Sequence, residues 1–544
     1  MASKLQLYMF VAFWLVLFEK EICEAGTLVE LSNGKIEGSV YRTPRKNVEY
    51  WAFLGIPYAA PPVGKFRFKP PQPVENWKGV LKASSNRKIC YQTGIEHAHS
   101  SEDCLYLSVY TPQEPGKEAS LPVMLNIHGG TFRRGSATVG YTCPQFVLEQ
   151  NVVVVTINYR LGPFGFLSTG DSVIPGNMGL KDQQFALKWV QTNIHLFGGD
   201  PTKVTVMGQS AGSASVTYQI LSPGSAGLFR AAIDQSGSAL NTWAHDRQAV
   251  DTAYGIAAMI DPKFDRNRTT EELLDFLLGV DGKAIHATGT KYSTFAPVIE
   301  IEHDEAFLTK SMYSLVEKGQ INKVPYLAGI ASEEGIIAAS NMKSWRKTAA
   351  SYDKNLELLV DGDMYIRDDQ VLSTVGLEIK KIYTNESLEQ ELGKFTQYHG
   401  DNRYMRAPIR YAELQSIYTD VWFYQFSYVG KMGGNKVKVE GIDGVGHGED
   451  LYYFWAYYGN YSIFPESDMR ALDDYVGLLT NFAKYLNPTP EKFRNVIWPK
   501  VTKNNFYYLD INKNLTVKEN PREFSYKKWV DIYDVYATKP IISF

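Results

Sequence analysis

Short runs of apolar and β-branched residues, each stopped by turn-forming residues, recur along this chain and predict strands buried on both faces. Val123 to Ile127 and Val152 to Tyr159 are two such runs; Val204 to Met207, Pro325 to Ile330 and Val421 to Tyr428 are three more. The segment Asp182 to Phe197 instead has a helical period: Ala186, Leu187, Val190 and Ile194 share a face, and Gly198-Gly199-Asp200-Pro201 stops it. Residues from about 345 to 415 are helical and charge-rich, which predicts a helical insertion covering the sheet. Strand, helix, strand, turn, helix is the order of a large, mostly parallel, doubly wound sheet, an α/β fold whose sites gather at strand C-termini. Nothing repetitive or linker-like divides residues 26–544, which read as one domain.

The first residues follow another pattern. Lys4 precedes an apolar run from Leu5 to Phe18, ended by Glu19-Lys20-Glu21, and Cys23-Glu24-Ala25 offers small residues where cleavage needs them. The run falls short of the roughly 20 apolar residues that span a bilayer, so residues 1–25 are expected to be a signal peptide and the product secreted and extracellular, without a membrane anchor. A formal charge of -3 argues against nucleic acid or anionic membrane as the main partner. An aromatic content of 13%, with 35 Tyr, points to an aromatic-lined gorge or rim as well as a large core.

Four cysteines suit an oxidising compartment. Cys23 leaves with the signal, Cys90 and Cys104 bracket a short polar loop that a disulfide could close, and Cys143 remains as a buried, inert thiol. Asn267, Asn385, Asn460 and Asn514 each open an Asn-X-Ser/Thr sequon and are candidate glycosylation sites.

The chemistry centres on Gly208-Gln209-Ser210-Ala211-Gly212, directly after a strand and before a small-residue helix. Such a turn strains the serine, requires glycine two residues to either side, and leaves the next amide, that of Ala211, free for an oxyanion. A serine needs a histidine to take its proton and a carboxylate to fix that histidine's tautomer. His447, in the flexible loop Gly444-Val445-Gly446-His447-Gly448-Glu449-Asp450, is the candidate base. Ser332-Glu333-Glu334-Gly335 follows a strand, and Glu334 is the chosen acid with Glu333 the alternative. After the strand ending at Ile127, the turn His128-Gly129-Gly130-Thr131-Phe132 can bring further amides to the oxyanion. His97 and His99 lack thiol or carboxylate neighbours at a metal-binding spacing, so no metal and no cofactor are expected.

These motifs, with Ser101-Glu102-Asp103-Cys104-Leu105-Tyr106-Leu107, Asn158-Tyr159-Arg160-Leu161-Gly162 and Gly176-Asn177-Met178-Gly179-Leu180-Lys181-Asp182-Gln183, resemble the type-B carboxylesterase and cholinesterase family from about Val29 to Trp529. The likeness is strongest to secreted insect esterases: general carboxylesterases, juvenile hormone esterases and odorant-degrading esterases. It implies an α/β-hydrolase fold, a Ser210, Glu334, His447 triad, and oxyanion amides at Gly130, Thr131 and Ala211. It also implies a Cys90 to Cys104 disulfide, ion pairs of Arg67 with Glu102 and Arg160 with Asp182, and a supporting place for Ser236 beside the acid. The implied activity is cofactor-free hydrolysis of small apolar carboxylic esters, with hormone or odorant specificity as the narrower option. Gln209 is shared with juvenile hormone esterases. A noncatalytic adhesion member of the fold is the rival reading. Three departures stand out. Thr131 is β-branched where the family has glycine or alanine, and such a residue resists unusual backbone angles. The second family disulfide has no cysteines here. The Cys90 to Cys104 loop also lacks the tryptophan with which cholinesterases hold quaternary ammonium, which argues against a cholinesterase.

Overall fold

Apolar runs in the middle of the chain line up side by side because each strand buries both faces. The computed structural model describes residues 26–94, 99–292, 294–434 and 437–544. The predicted signal segment, Cys23 within it, and His97 lie outside those residues. An 11-stranded sheet forms the frame. Its strands are β1 (Ser39–Arg42), β2 (Glu49–Pro57), β3 (Tyr106–Thr111), β4 (Leu121–Ile127), β5 (Val153–Ile157), β6 (Gly199–Gln209), β7 (Ala231–Gln235), β8 (Tyr326–Ala331), β9 (Val421–Phe426), β10 (Tyr507–Ile511) and β11 (Leu515–Glu519). Across the sheet they run β11-β10-β9-β8-β7-β6-β4-β5-β3-β2-β1. From β10 to β5 every pairing is parallel, and antiparallel strands close both edges.

Alternation explains why these strands read as unbroken apolar runs. Val123, Leu125 and Ile127 of β4 enter one core while Met124 enters the core on the other face; Val153 and Val155 of β5 oppose Val154 in the same way. Each such side chain, fully buried, contributes roughly 1.5–3 kcal/mol. In-register parallel pairing then sets the strand ends level. Gly208 lies opposite Ile127 on one side and Asp234 on the other, and Gln235 opposite Gly329, so the loops leaving β4, β6, β7 and β8 emerge along one edge.

One boundary differs from the sequence expectation. The helix read as Asp182 to Phe197 is α1 (Met178–Asn193), followed by a 3-10 turn, Ile194–Phe197. Its start, Met178 to Asp182, is buried all round, charged residues included: Asp182 is gripped by Arg160, and Lys181 Nζ donates to Glu300 Oε2 at 2.8 Å. An apolar period cannot register a helix start whose charged residues are buried as fully as its apolar ones. The charge-rich segment does fold as helices: α3 (Met342–Lys354), α4 (Asp369–Tyr383), α5 (Leu392–Gly400) and α6 (Arg406–Ser416), with α2 (Ala211–Leu221) following the serine turn. A π turn, Asp401–Met405, joins α5 to α6, and α6 packs on β8 and β9. Such turns shift side chains off the ordinary helical period.

Candidate active site

Ser210 sits between β6 and α2 with φ 58° and ψ −121°, a strained backbone conformation that points its side chain away from the strand end. The flanking glycines are steric necessities. A Cβ on Gly208 would come within 2.5 Å of the Gly212 backbone, and one on Gly212 would collide with the Ile127 carbonyl. The Ser210 amide donates to Gln235 O at 2.9 Å, tying the turn to β7.

The glycine turn after β4 packs against this elbow: a Cβ on Gly129 would stand 3.1 Å from the Ser210 Cβ. Beneath it, His128 is buried, its ring stacked on Tyr159 at 4.4 Å, and the Tyr159 hydroxyl donates to His128 O at 2.9 Å. Burial pushes the His128 imidazole down to about 4, so it is neutral and its Nδ1–H donates to Gly129 O at 2.9 Å. Thr131 departs from the expected reluctance of a β-branched residue: it takes φ 58°, and Phe132 follows at 57°. The turn holds because the Gly130 carbonyl accepts from the Arg133 and Arg134 amides, both at 3.1 Å, and from the Thr131 hydroxyl at 2.7 Å. Among the described residues no protein acceptor takes the amides of Gly130, Thr131 or Ala211. The Ala211 amide also opens a helix, where the dipole favours negative charge.

Glu334 follows β8 and is fully buried. Its Oε1 accepts from the Ala331 amide at 2.7 Å, and its Oε2 lies 2.6 Å from His447 Nδ1. Glu333, the alternative acid, faces away: its Oε1 accepts from Gln397 Nε2 at 3.1 Å and lies 3.6 Å from Arg522 Nη1. The loops carrying Glu334 and His447 are clasped together. Glu333 N donates to Val445 O and Val445 N to Ser332 Oγ, each at 2.9 Å. His447 Nε2 accepts from Gln209 Nε2 at 3.1 Å, which seats the ring against the elbow. The pairing with Glu334 puts the imidazole proton on Nδ1 and leaves the Nε2 lone pair toward the elbow, the tautomer a general base requires.

The implied scaffold contacts are present. Arg67 grips Glu102 with two bonds of 2.7 Å, Arg160 grips Asp182 at 2.8 and 2.6 Å, and Cys90 and Cys104 form a disulfide. Ser236 is held by its backbone, with φ 62° and its amide donating to Gly329 O at 2.8 Å, and its hydroxyl makes no hydrogen bond to Glu334. Cys143 is buried, and burial pushes its thiol up to about 12.

Known proteins resemble this chain in sequence and in fold. The sequence profile of the carboxylesterase family matches residues 25–529. The chain belongs to the carboxylesterase family. It is 36% identical over 451 residues to venom carboxylesterase-6 of Apis mellifera, covering 78% of this chain and 79% of that one. With the juvenile hormone esterase of Tribolium castaneum it is 33% identical over 505 residues, 87% of this chain and 85% of the other. The crystal structure of juvenile hormone esterase from Manduca sexta, with OTFP covalently attached, superposes with a TM-score of 0.84 at 28% identity, covering 94% of this chain and 100% of that one. The fold is accordingly the α/β-hydrolase fold, and the protein is a carboxylic ester hydrolase.

Three side chains of this carboxylesterase that the sequence reading did not single out stand at the site. Tyr404, from the π turn, lies over the His447 ring at 4.1 Å between centroids, and Trp243 and Phe132 extend an aromatic wall from it. Trp243 is fixed by its indole N–H, which donates to Arg403 O at 2.5 Å. Asp450, three residues beyond His447, is fully buried. Its Oδ2 accepts from Tyr475 at 2.7 Å, while Oδ1 and the Oε1 of neighbouring Gln235 lack partners among the described residues. Burial, chiefly, raises the Asp450 carboxyl to about 6. A folded-state value above the unfolded one means that its stabilisation is present below about pH 4 and lost as pH rises to about 6, a loss of about 3 kcal/mol. Asp450→Asn removes that loss and supplies a donor for Gln235. Its advantage in unfolding midpoint over the parent should widen from pH 4 to 6 and stay constant above; a gap independent of pH would contradict the assignment.

Proposed function

We propose that the enzyme is a secreted serine carboxylesterase that works through Ser210, His447 and Glu334 by way of an acyl-enzyme. The observation that carries this reading is the Glu334 to His447 pair, 2.6 Å long and buried, closing on the strained elbow that bears Ser210. His447 Nε2 takes the Ser210 proton as Oγ bonds to the ester carbonyl carbon. The oxyanion is met by the amides of Gly130, Thr131 and Ala211, each such donor worth about 3 kcal/mol. His447 returns the proton to the departing alcohol, then takes one from water as its oxygen bonds to the acyl carbon, and hands that proton to Ser210 Oγ as the acyl bond breaks and the acid leaves.

Residues 1–25 serve as the signal peptide and residues 26–544 as a single catalytic domain. The sequon asparagines Asn267, Asn385, Asn460 and Asn514 are all exposed, which supports their glycosylation in the secretory pathway. Among the described residues no helix is long and apolar enough to cross a membrane. The wall of Phe132, Trp243 and Tyr404 beside His447 favours apolar esters, and the juvenile hormone esterase relatives bring that hormone into the same substrate class. Rapid mixing with p-nitrophenyl acetate should give a burst of one nitrophenolate per chain, and peptide mass spectrometry of the trapped intermediate should place the acetyl group on Ser210. A stoichiometric label on any other residue sinks the mechanism.

A further inference from the structure

The nitrogen that must take the serine proton is already occupied. His447 Nδ1 is committed to Glu334, and its Nε2 lone pair accepts from the side-chain amide of Gln209, the residue directly before Ser210. The Gln209 side chain makes no other hydrogen bond among the described residues. It is part-buried at the end of β6, with its Oε1 turned toward the Gly129 turn and its Nε2 toward His447 and Gly448.

We propose that Gln209 is a positioning residue that clamps the resting base: its amide holds the His447 lone pair in competition with the Ser210 hydroxyl, and must let go for acylation to begin. This rests on the reading of Ser210, His447 and Glu334 as the triad. An amide suits the task because it has two faces. While His447 is neutral, the Gln209 N–H donates to the lone pair; once the imidazole carries the proton, a half-turn of the amide offers Oε1 as acceptor for the new Nε2–H. The clamp therefore follows the proton through the cycle. Apolar side chains at this position would leave the lone pair to Ser210 alone, and a carboxylate would serve only the protonated ring.

The ionisable groups packed around His447 are Glu334 at Nδ1, Tyr404 across the ring face, and Asp450 and Glu449 on its own turn, the last of these accepting from the Gly446 amide at 2.7 Å. None of them reaches Nε2 with a hydrogen bond, so a change at residue 209 is read at that nitrogen without altering the others.

The test uses diethyl p-nitrophenyl phosphate, a neutral probe. Ser210 Oγ forms the bond to phosphorus, p-nitrophenolate leaves, and the serine proton ends on His447 Nε2. One equivalent of nitrophenolate per active chain counts the folded enzyme, so the rate constant is independent of any misfolded fraction. Rates for wild type, Gln209→Met and Gln209→Glu are followed from pH 5 to 9. With the competing donor gone, Gln209→Met should react two- to tenfold faster at pH 8, the span of one modest hydrogen bond. Gln209→Glu should move the acid limb of the profile upward by about one pH unit, since an adjacent carboxylate favours the charged imidazole. A Gln209→Met rate at or below wild type, or a Gln209→Glu acid limb at the wild-type position, overturns the clamp. If wild type itself releases no stoichiometric nitrophenolate, it is the triad reading that falls.

Discussion

Ser210→Ala is expected to lower the kcat for p-nitrophenyl acetate by about 10^6-fold, equivalent to about 8 kcal/mol of transition-state stabilisation, while the protein folds as before. Both halves of that expectation come from the elbow. The Ser210 hydroxyl makes no hydrogen bond among the described residues, and alanine keeps the same Cβ, so the change in unfolding free energy should stay under about 1 kcal/mol. The residual rate should still exceed that in water by about 10^3-fold, since the amides of Gly130, Thr131 and Ala211 remain. Purified variant and parent would be compared by stopped-flow assay and by thermal unfolding. A folded variant with more than about a hundredth of the parental kcat would mean that another nucleophile does the work.

Arg160→Leu should be the most damaging substitution outside the site. It strips the side-chain donors from Asp182, which has no exposed surface, and also releases the Lys69 carbonyl, to which Arg160 Nη1 donates at 2.7 Å. Removing one partner of a buried ion pair typically costs roughly 3–5 kcal/mol, because the other is left charged in a place it cannot be solvated. Even with its partner present, burial raises the Asp182 carboxyl above its usual range. Without Arg160 it rises further, so the variant gains stability as pH falls and the carboxyl protonates. Urea midpoints should therefore differ less from the parent at pH 5 than at pH 8. The double variant Arg160→Leu, Asp182→Leu should recover most of the loss; failure to recover would show that the guanidinium acts through Lys69 rather than through the pair.

The parts of this site that could be read from the chain are those written in local grammar. Glycines two before and two after Ser210 announce the elbow because no other residue fits against Gly212 and Ile127. Buried parallel strands announce themselves through β-branched runs, and the place of Glu334 after β8 follows from the shared sheet edge. The choice of Glu334 over Glu333 had no such local signal, since both leave the same strand, and it leaned on the family resemblance; the folded chain turns Glu334 toward His447 and Glu333 toward Gln397 and Arg522. Tyr404 was hidden for another reason. It reaches His447 from a turn of π helix, so counting residues from α5 at the ordinary period puts it on the wrong side. The left-handed Thr131 runs against its own propensity and is held there by three bonds to one carbonyl.

The clasp between Glu333 and Val445 and between Val445 and Ser332 fixes the His447 loop to the Glu334 loop rather than to the chain that leads to it. The described residues that lead from β9 to that loop, 427–434 and 437–443, are thereby spared the task of aiming His447 by themselves. Exposed positions along that lead, Val429, Lys431, Lys438, Glu440 and Asp443 among them, can therefore change chemistry without disturbing the contact of His447 with Glu334.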